Sequence, residues 1–340
     1  MFKRIWFIAA FLIISFVLAV NWYRLPNLSS QEQTTVRESS AVIGYSNSFG
    51  WWPWAIAESE NLFVKYGLKN VELRWYDSYS QSIEDMASGF LDGNCQSLND
   101  TIFYAPQAID GEVIVLINSN SVGNDKIIVS GDITSIEDLK NKQVGIEEGL
   151  VEDYLLTLAL LQKGMNRKDV DIIDVETGAA TEAFKAGMLD GVGTFAPYWK
   201  QALHRDNARE IISSKDFPNT FLNLLVVSQK LIEQQPDLVQ GLVDTWFDVL
   251  AFIEENPQRA KRIIAERAGI DIKDIQLFNK GTRMLSIEDN VVAFKDQEGV
   301  NSLSVAANKA IDFYIEQFQS IEKKPNLDQL IDSQFVLNKE

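Results

Sequence analysis

Apolar positions fall into two alternating rhythms after residue 40. Short runs that are wholly apolar, or apolar at every second position, alternate with segments whose apolar residues recur three and four apart. The first kind, at residues 41–44, 71–75, 112–117, 126–130 and 143–146, predicts strands. The second kind, at residues 53–60, 80–88, 101–109, 151–162 and 244–253, predicts helices. Pro53 is tolerated in a first turn. Gly89 and Gly164 stop two of these helices, and Asn256-Pro257 breaks a third. The β-α-β-α order predicts an α/β fold with largely parallel sheets.

A partial repeat divides the pattern. Ala87-Ser-Gly-Phe-Leu-Asp-Gly93 resembles Lys185-Ala-Gly-Met-Leu-Asp-Gly191, and each closes a helix and opens a strand. Two lobes of related topology follow. Residues 41–125 plus 226–340 form lobe 1 and residues 126–225 form lobe 2, with a returning crossover strand at 224–228. In open α/β sheets, ligands sit beyond the carboxyl ends of the strands, so the loops after each strand are the places to look.

Composition removes several function classes. The chain has 340 residues, 31 basic and 48 acidic, for a net charge of −17, which argues against nucleic acid as a partner. Cys95 and His204 are the sole cysteine and histidine, so no disulfide framework and no thiolate- or imidazole-rich metal site can form. No catalytic constellation and no cofactor motif is present. Lys3 and Arg4 precede an apolar run too short for an ordinary spanning helix, followed by the polar stretch Ser29-Ser-Gln-Glu-Gln-Thr-Thr35. Residues 1–24 read as a signal peptide or signal anchor and 25–40 as a tether. The rest is exported to the periplasm, touching membrane only through that segment or a membrane partner.

Five post-strand loops carry the candidate site: Ser46 and Asn47 with Trp51 and Trp52; Trp75 and Asp77; Asn99 and Asp100; Glu147 and Glu148; Phe195 and Tyr198. Three of the eight tryptophans crowd into the first, and at least one of Trp51, Trp52 and Trp54 belongs to the core. Asn99 or Asp100 is also a candidate N-cap. A helix N-terminus facing a cleft ordinarily suits an anion. Here Glu147, Glu148, Glu152 and Asp153 stand there. They suit the helix dipole. They also repel an anion by about 4 kcal/mol at 4 Å and an effective dielectric of about 20.

The stretch Gly44-Tyr-Ser-Asn with Trp51-Trp-Pro-Trp54, the segment Ser135-Ile-Glu-Asp-Leu-Lys-Asn-Lys-Gln-Val-Gly-Ile-Glu-Glu-Gly149 and the element Thr177-Gly-Ala-Ala-Thr-Glu-Ala-Phe-Lys-Ala-Gly-Met-Leu-Asp-Gly191 resemble the substrate-binding proteins of ABC importers. The nearest branch is the nitrate, sulfonate, taurine and thiamine-precursor type. Asn141 stands where that family usually has glycine. The resemblance implies a type II periplasmic-binding-protein fold: two α/β lobes joined by crossover strands around a ligand cleft. It implies a monomeric, non-catalytic binder of a small molecule, with no cofactor or metal, that delivers to ABC permease and ATPase subunits.

Anion binders of the family commonly carry a serine-rich turn where this chain has Glu147-Glu148-Gly149. That departure implies a small nitrogenous cation, guanidine being a named candidate, held by carboxylates against flat aromatic faces. Two alternatives stay open. One is a small anion (nitrate, a sulfonate such as taurine, bicarbonate), bound directly or through Ca2+. The other is an enzyme or precursor binder like those of thiamine-pyrimidine synthesis.

Overall fold

The computed structural model describes residues 40–296, 298–318 and 324–338. The export segment expected at 1–24, and all but the last residue of the expected tether, lie outside the described residues. Among the described residues no helix is long and apolar enough to cross a membrane.

Eleven strands follow one another: β1 (Ser40–Ser46), β2 (Asn70–Tyr76), β3 (Gly93–Ser97), β4 (Val113–Ser121), β5 (Lys126–Val129), β6 (Gln143–Ile146), β7 (Asp171–Asp174), β8 (Gly191–Thr194), β9 (Arg209–Ser213), β10 (Leu222–Val227) and β11 (Thr282–Met284). They build two sheets, ordered β11-β4-β10-β3-β1-β2 and β7-β6-β8-β5-β9. In each, three strands run parallel (β1, β2, β3; β6, β7, β8). In each, an antiparallel strand donated by the other half's crossover lies beside the third (β10 on β3; β5 on β8). The sheets are thus mixed, and β10 belongs to the first sheet from Leu222 onward. The return from the second lobe is complete before residue 222, so residues 222–225 lie on the lobe 1 side of the boundary expected at 226.

The sequence repeat has a physical basis. Asp92 and Asp190 do the same job in the two lobes. Asp92 Oδ2 accepts from Val42 N at 2.9 Å while Asp92 N donates to Val42 O at 2.9 Å. Asp190 Oδ2 accepts from Gln143 N at 2.9 Å while Asp190 N donates to Gln143 O at 2.9 Å. Each carbonyl then takes an N–H beside the crossover strand, from Ser228 and from Ser130, both at 2.9 Å. An aspartate in this corner therefore satisfies backbone groups of two strands at once.

The helices that matter for the site are α1 (Trp54–Ser59), α2 (Tyr79–Ala87), α3 (Leu98–Tyr104), α4 (Val151–Gln162), α5 (Thr177–Lys185) and α6 (Tyr198–Ala202). Helix α3 ends five residues earlier than the periodicity predicts, because Pro106 has no N–H and lies in a following tight turn. Its N-cap is Ser97, so neither Asn99 nor Asp100 caps it. Strand β4 runs past residue 117 through the buried polar residues Asn118–Ser121, of which Ser119, Asn120 and Ser121 still pair with β10 or β11. Asn141 has φ 59°, a left-handed conformation that asparagine tolerates better than most residues, which explains asparagine in place of glycine.

The core of the first lobe lies between its sheet and the long helix α7 (Pro236–Glu255), whose Leu238, Val239, Leu242, Val243, Trp246 and Val249 are buried. Trp54 packs on Trp246 with ring centroids 5.0 Å apart and on Phe63 at 6.3 Å, so Trp54 is core. Removing a buried ring of this size costs about 3–5 kcal/mol.

The two crossovers, 121–126 and 213–222, are bonded to each other. Ser121 Oγ and Ser214 Oγ are 2.8 Å apart, Gly123 N donates to Ser214 Oγ at 2.7 Å, and Ser214 N donates to Asp125 O at 2.9 Å.

Candidate functional site

Between the lobes lies a small cavity lined by Ser48, Trp51, Tyr79, Ser97 and Asn223 from the first and by Asp125, Val151 and Phe195 from the crossover and the second. Its volume is about 20 Å³, room for one or two waters. Trp51 and Tyr79 lie ring against ring, tilted 34° with centroids 5.4 Å apart, and Phe195 meets Tyr79 edge-on at 6.5 Å. Local chemistry explains the placement of this wall. Gly50 lets the tryptophan loop approach the crossover strand: a Cβ there would lie 2.3 Å from Ser119 Oγ and 2.6 Å from Asn223 Nδ2.

Carboxylates crowd the same space from both lobes. Asp100 is fully buried on α3 and accepts from Tyr79 Oη at 2.6 Å, from Asn99 Nδ2 at 2.6 Å and from Ser97 Oγ. Burial pushes it up to about 7 despite those donors, with Glu147 and Asp125 adding to the rise. Asp125 is buried just before β5, and burial pushes it up to about 6 against help from Ser121 and Lys126. Glu147 follows β6 and accepts from Thr177 Oγ1 at 2.7 Å. Burial raises it too, opposed by hydrogen bonds from Thr177 and from Ser80 of the other lobe. Glu152, in the first turn of α4, is 1% exposed, and neither of its carboxylate oxygens has a hydrogen-bond partner. Burial raises it well above the usual carboxylate range, and Asp125, Glu147 and Asp100 raise it further. Among the described residues no lysine, arginine or histidine lines the cavity.

The loops singled out from sequence divide into two groups. Trp51 and Phe195 line the cavity. Asp100 and Glu147 stand in the carboxylate cluster around it. Asn99 bonds to Asp100 and Ser97. Ser46 is buried and its own hydroxyl has no hydrogen-bond partner. Asn47 Nδ2 donates to Tyr198 Oη at 3.2 Å, a tie from one lobe to the other. The rest point elsewhere. Trp52 packs on Phe49 at 5.4 Å and Phe278 at 6.0 Å, inside the core. Trp75 Nε1 donates to Asp77 at 2.9 Å, and the ring sits edge-on to Tyr45. Glu148 is half exposed and pairs with Arg167 at 3.2 Å. Its neighbour Gly149 turns the chain at φ 82°, a conformation glycine adopts without strain, and thereby separates Glu148 from the cleft acids.

Sequence reasoning missed Tyr79, Asp125 and Asn223, and it placed Glu152 at the cleft-facing helix N-terminus without counting it among the site residues. Tyr79 opens the helix that follows β2, two residues beyond the loop residue Asp77, and Asn223 sits inside a crossover strand rather than after one. Asp125 lies at the expected lobe boundary, which was the available signal. Among the described residues no group of three His, Cys, Asp or Glu side chains is arranged to hold a metal ion.

The chain is similar over most of its length to known binding proteins. A Brucella abortus protein named as a binding protein is 25% identical over 316 residues, covering 92% of this chain and 93% of that one. The taurine-binding periplasmic protein of Escherichia coli is 25% identical over 300 residues, covering 84% and 89%. The crystal structure of the periplasmic aliphatic sulphonate binding protein SsuA from Escherichia coli superposes with a TM-score of 0.70 at 20% identity, covering 86% and 92%, and shows the same fold. Residues 35–269 match the model of the NMT1-like family, so the chain belongs to that family.

Proposed function

We propose that this protein captures a small, flat, nitrogenous cation, guanidinium or a close relative, and delivers it to an ABC permease. One observation carries the reading: buried carboxylates from both lobes surround an aromatic-walled cavity that no basic side chain lines. A buried anion needs a countercharge. Guanidinium supplies one, with N–H donors in a plane that suits carboxylates and ring faces. The small cavity favours an ion of few atoms. An anion would meet the same acids and be repelled.

Closure brings Asp100 of one lobe towards Glu147 and Glu152 of the other. A cation between them lowers the energy of the closed form relative to the open one, and that difference is what a permease can read. The second reading, a sulfonate ligand, is favoured by the similarity to the taurine-binding protein of Escherichia coli. Calorimetric titration with guanidinium, methylamine, taurine and nitrate, each with and without chelator, separates the two. The expected result is chelator-insensitive binding of a cation. Tight binding of taurine or nitrate with no response to any cation would reject it.

A further inference from the structure

Asp100 has three side-chain donors and Glu147 has two. Glu152, more deeply placed than Glu147, has no partner at hydrogen-bonding geometry, and its own backbone amide is the one donor that eases its burial. Its stem is fixed: a Cβ on Gly193 of β8 would lie 2.7 Å from Glu152 Cβ and 3.1 Å from its Cγ. The carboxylate is therefore held over the end of β8, where Thr194 Oγ1 is also buried and unpartnered.

The groups facing it are nearly all acidic. Asp125 precedes β5, Glu147 follows β6 and Asp100 comes from α3. The cations close by in sequence are engaged elsewhere. Lys126 Nζ bonds to Glu210 at 2.5 Å and lies over the Trp199 ring, and Arg167 pairs with Asp153 at 2.9 Å and with Glu148. Two carboxylates that repel through low dielectric titrate as a pair, and one keeps its proton.

We propose that Asp125 and Glu152 hold one proton between them, seated on Glu152, and that an arriving cation takes its place. This rests on the cation reading of the cleft. The O–H bond of the Glu152 carboxyl breaks, the proton passes to solvent, and the carboxylate left behind balances the charge of the ligand on Asp125. Asp125 touches the ligand, while Glu152 acts through Asp125 and is a positioning residue. Capture is then coupled to proton release, and affinity falls as the pH falls.

Calorimetric titration with guanidinium, as its chloride far below denaturing concentration, tests this in buffers of different ionisation enthalpy. Near about pH 6 the parent should release about one proton more per guanidinium bound than Glu152→Gln does. Its Kd should weaken up to about tenfold per pH unit lost, while that of Glu152→Gln stays flatter. A purely structural role for Glu152 would change affinity but not proton count, so equal counts would overturn the proposal. If guanidinium does not bind, the cation reading fails, and the Tm profile of the unliganded proteins still reads the proton. The parent should lose more thermal stability than Glu152→Gln between about pH 5 and about pH 8. Parallel profiles would overturn the proposal, whatever the ligand is.

Discussion

Glu152 and Asp153 are neighbours in the first turn of α4, both out of water, and they face two different regions. Asp153 looks back into its own lobe. It accepts from Gly149 N at 2.9 Å, Thr157 Oγ1 at 3.2 Å, Arg167 Nε at 3.0 Å and an Arg167 terminal nitrogen at 2.9 Å. Glu152 looks towards the cleft and accepts from no other residue at hydrogen-bonding geometry. Folding supplies every partner on one side of the helix and none on the other. A buried acid completed by its own chain builds the fold. One left incomplete is a place for something from outside, a proton or a ligand.

The widest separation comes from Asp153. Asp153→Ala leaves Arg167 without its main partner and should cost about 3–5 kcal/mol in urea unfolding. Glu152→Gln should cost far less, and equal losses would erase the contrast between the two faces. Next is Asp125→Asn, expected to weaken guanidinium binding by about 2–5 kcal/mol in calorimetry while the unliganded protein stays folded. A retained Kd would move the site away from Asp125. Trp51→Leu should cost about 1–2 kcal/mol of cation binding, the scale of a lost cation–π face.

The pH dependence of the unliganded protein is smaller. Asp100, pushed up to about 7, and Glu152, raised well above the usual carboxylate range, hold protons that the unfolded chain gives up near about 4. The folded state binds more protons across that window, so stability falls as pH rises through it. A Tm about 2–4 °C lower per kcal/mol lost is the expected readout for a chain of this class. A Tm that climbed from about pH 5 to about pH 8 would contradict the burial of these acids. Smallest of all is Glu148→Gln, at the exposed end of the comparison, expected within about 0.5 kcal/mol for stability and without effect on binding.

Much of this was legible in the sequence. The alternation of strands and helices, helix α4 at its observed ends, and the repeated Leu-Asp-Gly corner depend on local periodicity and turn chemistry, which neighbouring residues determine. The cleft was legible only in outline. Trp51, Asp100, Glu147 and Phe195 follow strands, and the rule about carboxyl ends finds them. It also selects Trp52, Trp75, Asp77 and Glu148, because it cannot say which way a side chain turns. Whether Trp52 faces cavity or core depends on Phe278, far along the chain. Whether Glu148 faces in or out depends on one glycine and on Arg167. Tyr79 and Asn223 reach the site through tertiary packing that no local pattern announces, whereas Asp125 was marked only by its place at the lobe boundary.

The stitched crossovers have a mechanical consequence. Because Ser121, Gly123, Ser214 and the Asp125 carbonyl tie the two strands into one ribbon, a swing of one lobe on the other turns about that ribbon. Points on an axis travel least, and Asp125 sits on it. A ligand that lands on Asp125 occupies the fulcrum and keeps that contact at every lobe angle. Asn47 with Tyr198, and Ser80 with Glu147, join the opposite arms away from that axis, where a swing moves the partners furthest. Arrival and retention are therefore separable: changes at the fulcrum alter how fast the ligand is caught, and changes at the tips alter how long it stays.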